Sequence, residues 1–344
     1  MLCMIRTRFA KPLFLPPLLL LTASALWAQP VKGWQKGKGY GWVYGNDDQV
    51  GALNAIASPA HTLAALRAVK TGRVFDLGMR VDKTSFKWPG HSSVEVITYR
   101  SPESVKRQKD IAGFATSPKQ MGFHSCALFI SDNVGTQIDG LAHITTGADD
   151  HWYNGFRERD WGGDFGPRKA DADTIPPMIA RGVLIDVAGW KGLPALPSNY
   201  PIGSKDLQAA LARQGVDVEP GDVVLIRTGT GRFWGETGAD HARIGEHDSA
   251  GLTLEGAKWL VEQKGALLVG TDTSGVEVGQ DPALPGATIP VHEYLLIEQG
   301  VHTGEFLYLE DLARARVYRF TFFAVTNRIK GATAGFALRP VAIE

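Results

Sequence analysis

Residues 182–187 read GVLIDV, 204–214 SKDLQAALARQ, 223–226 VVLI, 253–264 TLEGAKWLVEQK and 266–269 ALLV. This run decides the fold. The three short segments are apolar and β-branched, the composition of strands buried on both faces. The segments between them change period. Leu207 and Leu211 lie four apart behind Ser204, which is placed as a helix cap, and Thr253 caps a second helix that Gly265 stops. Strand, helix, strand, helix, strand is the order of an α/β fold with crossover connections. Each strand runs into polar residues and a glycine: Asp186, then Arg227-Thr228-Gly229, then Gly270-Thr271-Asp272. Such strand ends are the usual place for a site in these folds.

Outward from this centre, the spacing predicts a helix over 61–70 and strands over 74–81 and 94–99. It also predicts a helix over 291–299 and strands over 306–309 and 317–325. Residues 126–130 form a short apolar run, so Cys126 is expected as a buried thiol. Residues 145–177 carry Gly, Asp, Arg and aromatic residues without a period, as expected of a long loop over a site. Trp152, Tyr153, Phe156 and Trp161 there would either wall a flat substrate or pack the loop down.

The N-terminus reads as an address. Arg6, Arg8 and Lys11 precede an apolar run at 13–21, and Ala23, Ser24, Ala25 and Ala28 follow it. That is the order of a secretory signal peptide, and the run is too short to span a bilayer. A leader over 1–28 leaves 29–344 as one domain. The mature chain is expected to be outside any membrane and, in a Gram-negative cell, periplasmic. Lys and Arg total 36, as do Asp and Glu, for a formal net charge of +0. That lacks the positive field needed to hold a phosphate backbone, so the expected partner is a small molecule rather than nucleic acid. Two cysteines, one of them in the leader, make no disulfide framework.

Residues 133–143, NVGTQIDGLAH, carry the densest chemistry. Asn133, Gln137, Asp139 and His143 recur at spacings of two and four, around a glycine, so their donors can converge. Asp139 offers a hard anionic ligand, the amides neutral oxygens, and His143 a group able to ligate or move a proton. A turn rich in Asn and Asp with a satisfied histidine fits the spacing equally. His292 and Glu305 form a second candidate pair, commonplace when taken alone. Asp272 is read as a loop-positioning residue. Other motifs are absent. Gly229-Thr230-Gly231 is not a dinucleotide fingerprint, Gly37-Lys38-Gly39 is not a P-loop, and His292-Glu293 lacks the second zincin histidine. No G-x-S-x-G elbow occurs.

Residues 133–143 resemble the H-x-G-T-H-x-D-x-x-x-H signature of the cyclase family that includes bacterial kynurenine formamidase and isatin hydrolase. The resemblance extends to Asp76-Leu77, Trp88-Pro89-Gly90, 181–186, 221–229, 270–273, His292 and Glu305, covering roughly 74–325. It implies a metal-dependent hydrolase on a swivelling β/β/α domain, acting on an amide, a cyclic amide or a lactone, and a homo-oligomer. By position, Asp139, His292 and Glu305 match metal ligands and His143 the proton-transfer residue. The departure is that both early histidines are amides here, Asn133 and Gln137. Gln137 is then an assisting oxygen ligand, and the divalent ion, manganese or zinc, is held mainly by the other three. Two alternatives stay open: a periplasmic small-molecule binding protein with a vestigial metal site, and a cyclase or dehydratase on the same scaffold.

Overall fold

The computed structural model describes residues 32–234 and 240–344. The expected leader lies outside the described residues. Among the described residues no helix is long and apolar enough to cross a membrane. In chain order the strands are β1 (Val74–Asp76), β2 (Glu95–Arg100), β3 (Ser125–Phe129), β4 (Gln137–Asp139), β5 (Met178–Asp186), β6 (Pro201–Ile202), β7 (Val223–Arg227), β8 (Gly251–Leu252), β9 (Leu268–Thr271), β10 (His302–Glu305), β11 (Arg319–Ala324), β12 (Ala334–Gly335) and β13 (Val341–Ile343).

Nine of them form one sheet in the order β1-β13-β11-β5-β7-β9-β10-β4-β12. The centre, β5-β7-β9-β10, is parallel, and both wings are antiparallel. This is the α/β fold expected. The apolar segments are the central strands: Val183, Leu184, Ile185, Val223–Ile226, Leu268 and Val269 are fully buried. Only a parallel sheet covered on both faces needs such continuous runs. Helix Ser204–Gln214 connects β5 to β7, and helix Leu254–Lys258, continued by a π-helical turn over Trp259–Gln263, connects β7 to β9. Thr253 caps the latter through Gly256 N, and Gly265 follows it at φ +72°.

Several expectations are corrected. Ser204 is not the cap of its helix: Gly203 is, and Ser204 N donates to Glu255 Oε2 at 2.8 Å. The strand expected over 74–81 ends at Asp76, because Asp76 Oδ1 accepts from Gly78 N at 3.0 Å and closes a turn. The strand expected over 306–309 lies at His302–Glu305 instead. Phe306 has φ +46°, and its N–H leaves the sheet for Thr273 O. Cys126 is exposed, not buried. Its strand β3 pairs with β2 in a separate two-stranded ribbon, whose Ile97, Tyr99, Leu128 and Phe129 also face solvent. The loop over 145–177 is packed down. Trp152 and Tyr153 are buried against Leu141, Leu296 and Ile297, and Tyr153 donates to Asp48 Oδ2 at 2.7 Å. None of its four aromatics lines the cavity described next.

Candidate functional site

Strand β4 is three residues long, Gln-Ile-Asp, and its period of two sets the site. Ile138 points into the core. Gln137 and Asp139 share the other face, and the antiparallel register places Glu305 of β10 directly opposite Gln137. His292 arrives from elsewhere. It ends a one-turn helix, Pro290–His292, that continues as a π-helical turn through Glu298, a helix form common at functional sites.

Asp139, His292 and Glu305 are all buried, and each offers a donor atom within 4.8 Å of the others. His292 Nε2 lies 3.2 Å from Glu305 Oε1 and 3.7 Å from Asp139 Oδ2. Ligands held at 2.0–2.2 Å around one ion sit about 3–3.5 Å apart, so three donors at these separations suit a divalent cation. The outer partners fit too. Glu277 Oε1 accepts from His292 Nδ1, and its other oxygen accepts from Val291 N at 2.9 Å. One carboxylate thereby caps the short helix and fixes the imidazole with Nε2 toward the cluster, the usual arrangement behind a metal-ligating histidine. Thr303 Oγ1 donates to Asp139 Oδ2 at 2.6 Å, and His302 Nδ1 donates to the Asp139 carbonyl at 2.7 Å. Burial pushes the His302 pKa below the usual imidazole range.

Charge is concentrated in this cluster. Burial opposes a charged His292, yet the Glu277 and Glu305 carboxylates outweigh it and hold its pKa well above the ordinary value. Burial, then the Asp139 carboxylate, pushes Glu305 upward against the pull of His292. Without a cation the cluster therefore keeps a proton between His292 and Glu305.

Gln137 is beside the three with its nitrogen toward them. Nε2 donates to Glu305 Oε2 at 2.8 Å and to Asn133 Oδ1 at 2.9 Å, and lies 3.4 Å from Asp139 Oδ1. Two carboxylates impose that orientation on an amide. The oxygen expected to ligate is left over: Gln137 Oε1 is buried without a hydrogen-bond partner. A buried acceptor without a partner is rare, and a bound ion or water is its usual explanation.

Gln137, His143, His292 and Glu305 all line one cavity of about 270 Å³. Trp88, Ile144, Ile289 and Phe306 form apolar walls, and Asp248 and Ser274 stand among the polar lining. Trp88 Nε1 donates to Ser274 Oγ at 2.6 Å, and Ser274 donates to Asp248. Burial raises the Asp248 carboxyl despite those bonds. A wider cleft of about 780 Å³ between Gly203 and Leu254 holds no histidine, so size alone does not mark the site. Asp272 plays the structural part expected, accepting from Thr228 N, Gly229 N and Gly231 N.

Glu277, Thr303 and the Asp248–Ser274 pair escaped the reading of the sequence. Glu277 alone carried a signal: a lone carboxylate between two valines, Val276 and Val278, both buried.

An α/β scaffold presenting a buried Asp–His–Glu cluster in a small cavity defines the class. The chain belongs to the putative cyclase family, whose model matches residues 75–278. A solved structure described as a novel cyclase is 29% identical, with a TM-score of 0.73 over 89% of this chain and 99% of that one. Isatin hydrolase A from Ralstonia solanacearum is 22% identical, with a TM-score of 0.56 over 84% of this chain and 96% of its own. Isatin hydrolase A from Labrenzia aggregata, bound to benzyl benzoate, is 20% identical, with a TM-score of 0.56 over 85% and 100%. These last two share the fold. No curated protein matches the chain.

Proposed function

We propose that this chain is a metal-dependent hydrolase of an amide, a cyclic amide or a lactone. One observation carries the reading: the Glu277-held imidazole of His292 meets the buried Asp139 and Glu305, and His292 and Glu305 line the cavity. Asp139, His292 and Glu305 would hold a divalent ion, manganese or zinc. Such an ion polarises a carbonyl and brings the pKa of water from about 15.7 toward neutrality. Gln137 holds the Glu305 and Asp139 carboxylates in place from the side. His143, half-buried on the cavity wall, would take the proton of the attacking water and return it to the leaving nitrogen or oxygen. Trp88 and Phe306 suit a flat substrate, and about 270 Å³ suits a small one. The name isatin hydrolase borne by two fold relatives supports hydrolysis over other chemistry. The expected homo-oligomer belongs to the same proposal, and light scattering on the purified protein tests it.

A second reading has its own observation. The Gln137 amide already donates to the Glu305 carboxylate and lies 3.4 Å from that of Asp139, which is how a vestigial site would satisfy its carboxylates without an ion. That protein would bind a small molecule and turn nothing over. Elemental analysis of protein purified without chelator decides between them. About one or more equivalents of divalent metal, lost in Asp139→Ala, together with turnover in an amide and lactone screen, is expected. No metal after incubation with manganese, zinc or magnesium moves the assignment to the binding protein.

A further inference from the structure

We infer that Asp132 and Thr333 form a positioning relay that fixes the tautomer of His143, an inference that rests on His143 being the proton-transfer group. His143 Nδ1 lies 3.3 Å from Thr333 Oγ1, and Thr333 Oγ1 lies 2.9 Å from Asp132 Oδ2. Three further N–H groups hold the Asp132 carboxylate. Thr333 N donates to Oδ2 at 2.6 Å, Ala334 N to the same oxygen at 3.2 Å, and Asn133 Nδ2 to Oδ1 at 2.9 Å.

The tautomer follows from counting protons. A threonine hydroxyl has one proton, and an ionised carboxylate only accepts. The Thr333 proton therefore goes to Asp132, and Thr333 Oγ1 faces His143 with lone pairs. His143 Nδ1 must then be the protonated nitrogen, which leaves Nε2 as the basic one. His143 lines the cavity, so the free lone pair belongs to the nitrogen available to a bound substrate or water. The order is that of an oriented general base: acid, hydroxyl, imidazole, reacting proton. The 3.3 Å contact is long, as such bonds often are before substrate binds.

The backbone ties this relay to the metal cluster. Thr333 precedes β12, which pairs with β4 in the register Ala334↔Asp139, and Gly140 N donates to Thr333 O at 2.8 Å. The strand that carries Asp139 thus also sets the distance from Thr333 to His143. Neither Asp132 nor Thr333 lines the cavity, so both act through His143.

The test is nitrogen-15 NMR of the histidine side chains in the full chain, read by long-range proton–nitrogen correlation. Loss of one pattern in His143→Gln identifies its signals among those of the nine histidines. The wild type is expected to show a protonated Nδ1 and a free Nε2. Thr333→Val is expected to lose that preference and, where turnover is present, to lower kcat by about 10–100-fold with KM little changed. Thr333→Ser restores both, which separates the hydroxyl from mere packing. A wild-type His143 protonated on Nε2, or a Thr333→Val protein with unchanged tautomer, overturns the relay. The NMR result stands apart from activity: a wild type with the expected tautomer and no turnover sinks the hydrolase reading and leaves the relay intact.

Discussion

Glu277→Gln isolates the group that aims His292. Both carboxylate oxygens are used, one by His292 Nδ1 and one by Val291 N. Glutamine keeps the size but offers one oxygen to two N–H donors. If that oxygen stays with Val291, the imidazole moves its proton to Nε2, the nitrogen that faces Asp139 and Glu305, and a protonated nitrogen cannot ligate. If it stays with His292, the helix start is left with an N–H against an amide N–H₂. Losing an outer partner of a ligating histidine costs about 10–100-fold in metal affinity, or about 1.4–2.8 kcal/mol. A second effect runs the other way. Glu277 is the strongest of the attractions that keep the His292 proton on, so removing it weakens the proton's competition with the ion. The proton that the ion-free cluster keeps between His292 and Glu305 must leave before an ion binds, so affinity rises with pH until that proton is lost without the ion. Above that point only the lost orientation counts. The deficit of Glu277→Gln should therefore be larger at alkaline pH than at acid pH. Competition with a metal-sensitive fluorescent chelator, using manganese and zinc at both pH values, measures it. Equal affinity of variant and wild type within twofold at alkaline pH would refute the assignment of His292 as a ligand.

Further consequences are direct. His143→Ala should cut turnover by about 10²–10⁴-fold while leaving metal content unchanged; near-normal kcat in a substrate-saturated assay would remove His143 from proton transfer. Asp272→Ala strands three backbone N–H groups and the Thr228 hydroxyl, and at about 1–3 kcal/mol for a buried donor left unpaired should cost at least about 3 kcal/mol in urea unfolding; a loss under about 1 kcal/mol would show that the loops re-pair elsewhere. Cys126, exposed on the ribbon, should react with a maleimide in the folded protein; labelling only after denaturation would place it under another surface.

The sheet centre was legible because its strands are buried on both faces, and only uninterrupted apolar runs such as 223–226 satisfy that. The wings were legible only in part. Cys126, Leu128 and Phe129 look like core to any reading of hydrophobicity, but their strand has a single neighbour, β2, and so stays in solvent. The four-residue displacement of β10 has the same kind of cause. Phe306 to Leu309 is the more apolar stretch, and Phe306, Leu307 and Leu309 are buried, but a left-handed backbone at Phe306 turns the chain out of the sheet toward Thr273 and Leu77. Hydrophobicity reports burial, and here burial and strand parted company.

The site divides along the same line. Gln137, Asp139 and His143 were readable because one short segment carries all three at fixed spacing. His292 and Glu305 stood out as a commonplace pair until the resemblance joined them to the motif, since they lie 149 and 162 positions beyond His143 and no local pattern marks them. Glu277, Thr303, Thr333 and Asp132 hold the others in position, and that work leaves almost no trace in a sequence. A positioning residue is defined by what it touches across the fold: Glu277 reaches His292 from 15 residues away, Thr333 reaches Asp132 from 201. The amide at 137 shows how this matters. By residue type alone Gln137 is a weak oxygen ligand. Once Asp139 and Glu305 are placed beside it, their charges turn its nitrogen inward, and its first task becomes holding two carboxylates together. Whether the amide yields its oxygen to an ion is a contest between those N–H bonds and one new ligand bond, and the metal content of Gln137→Ala against wild type reads its outcome.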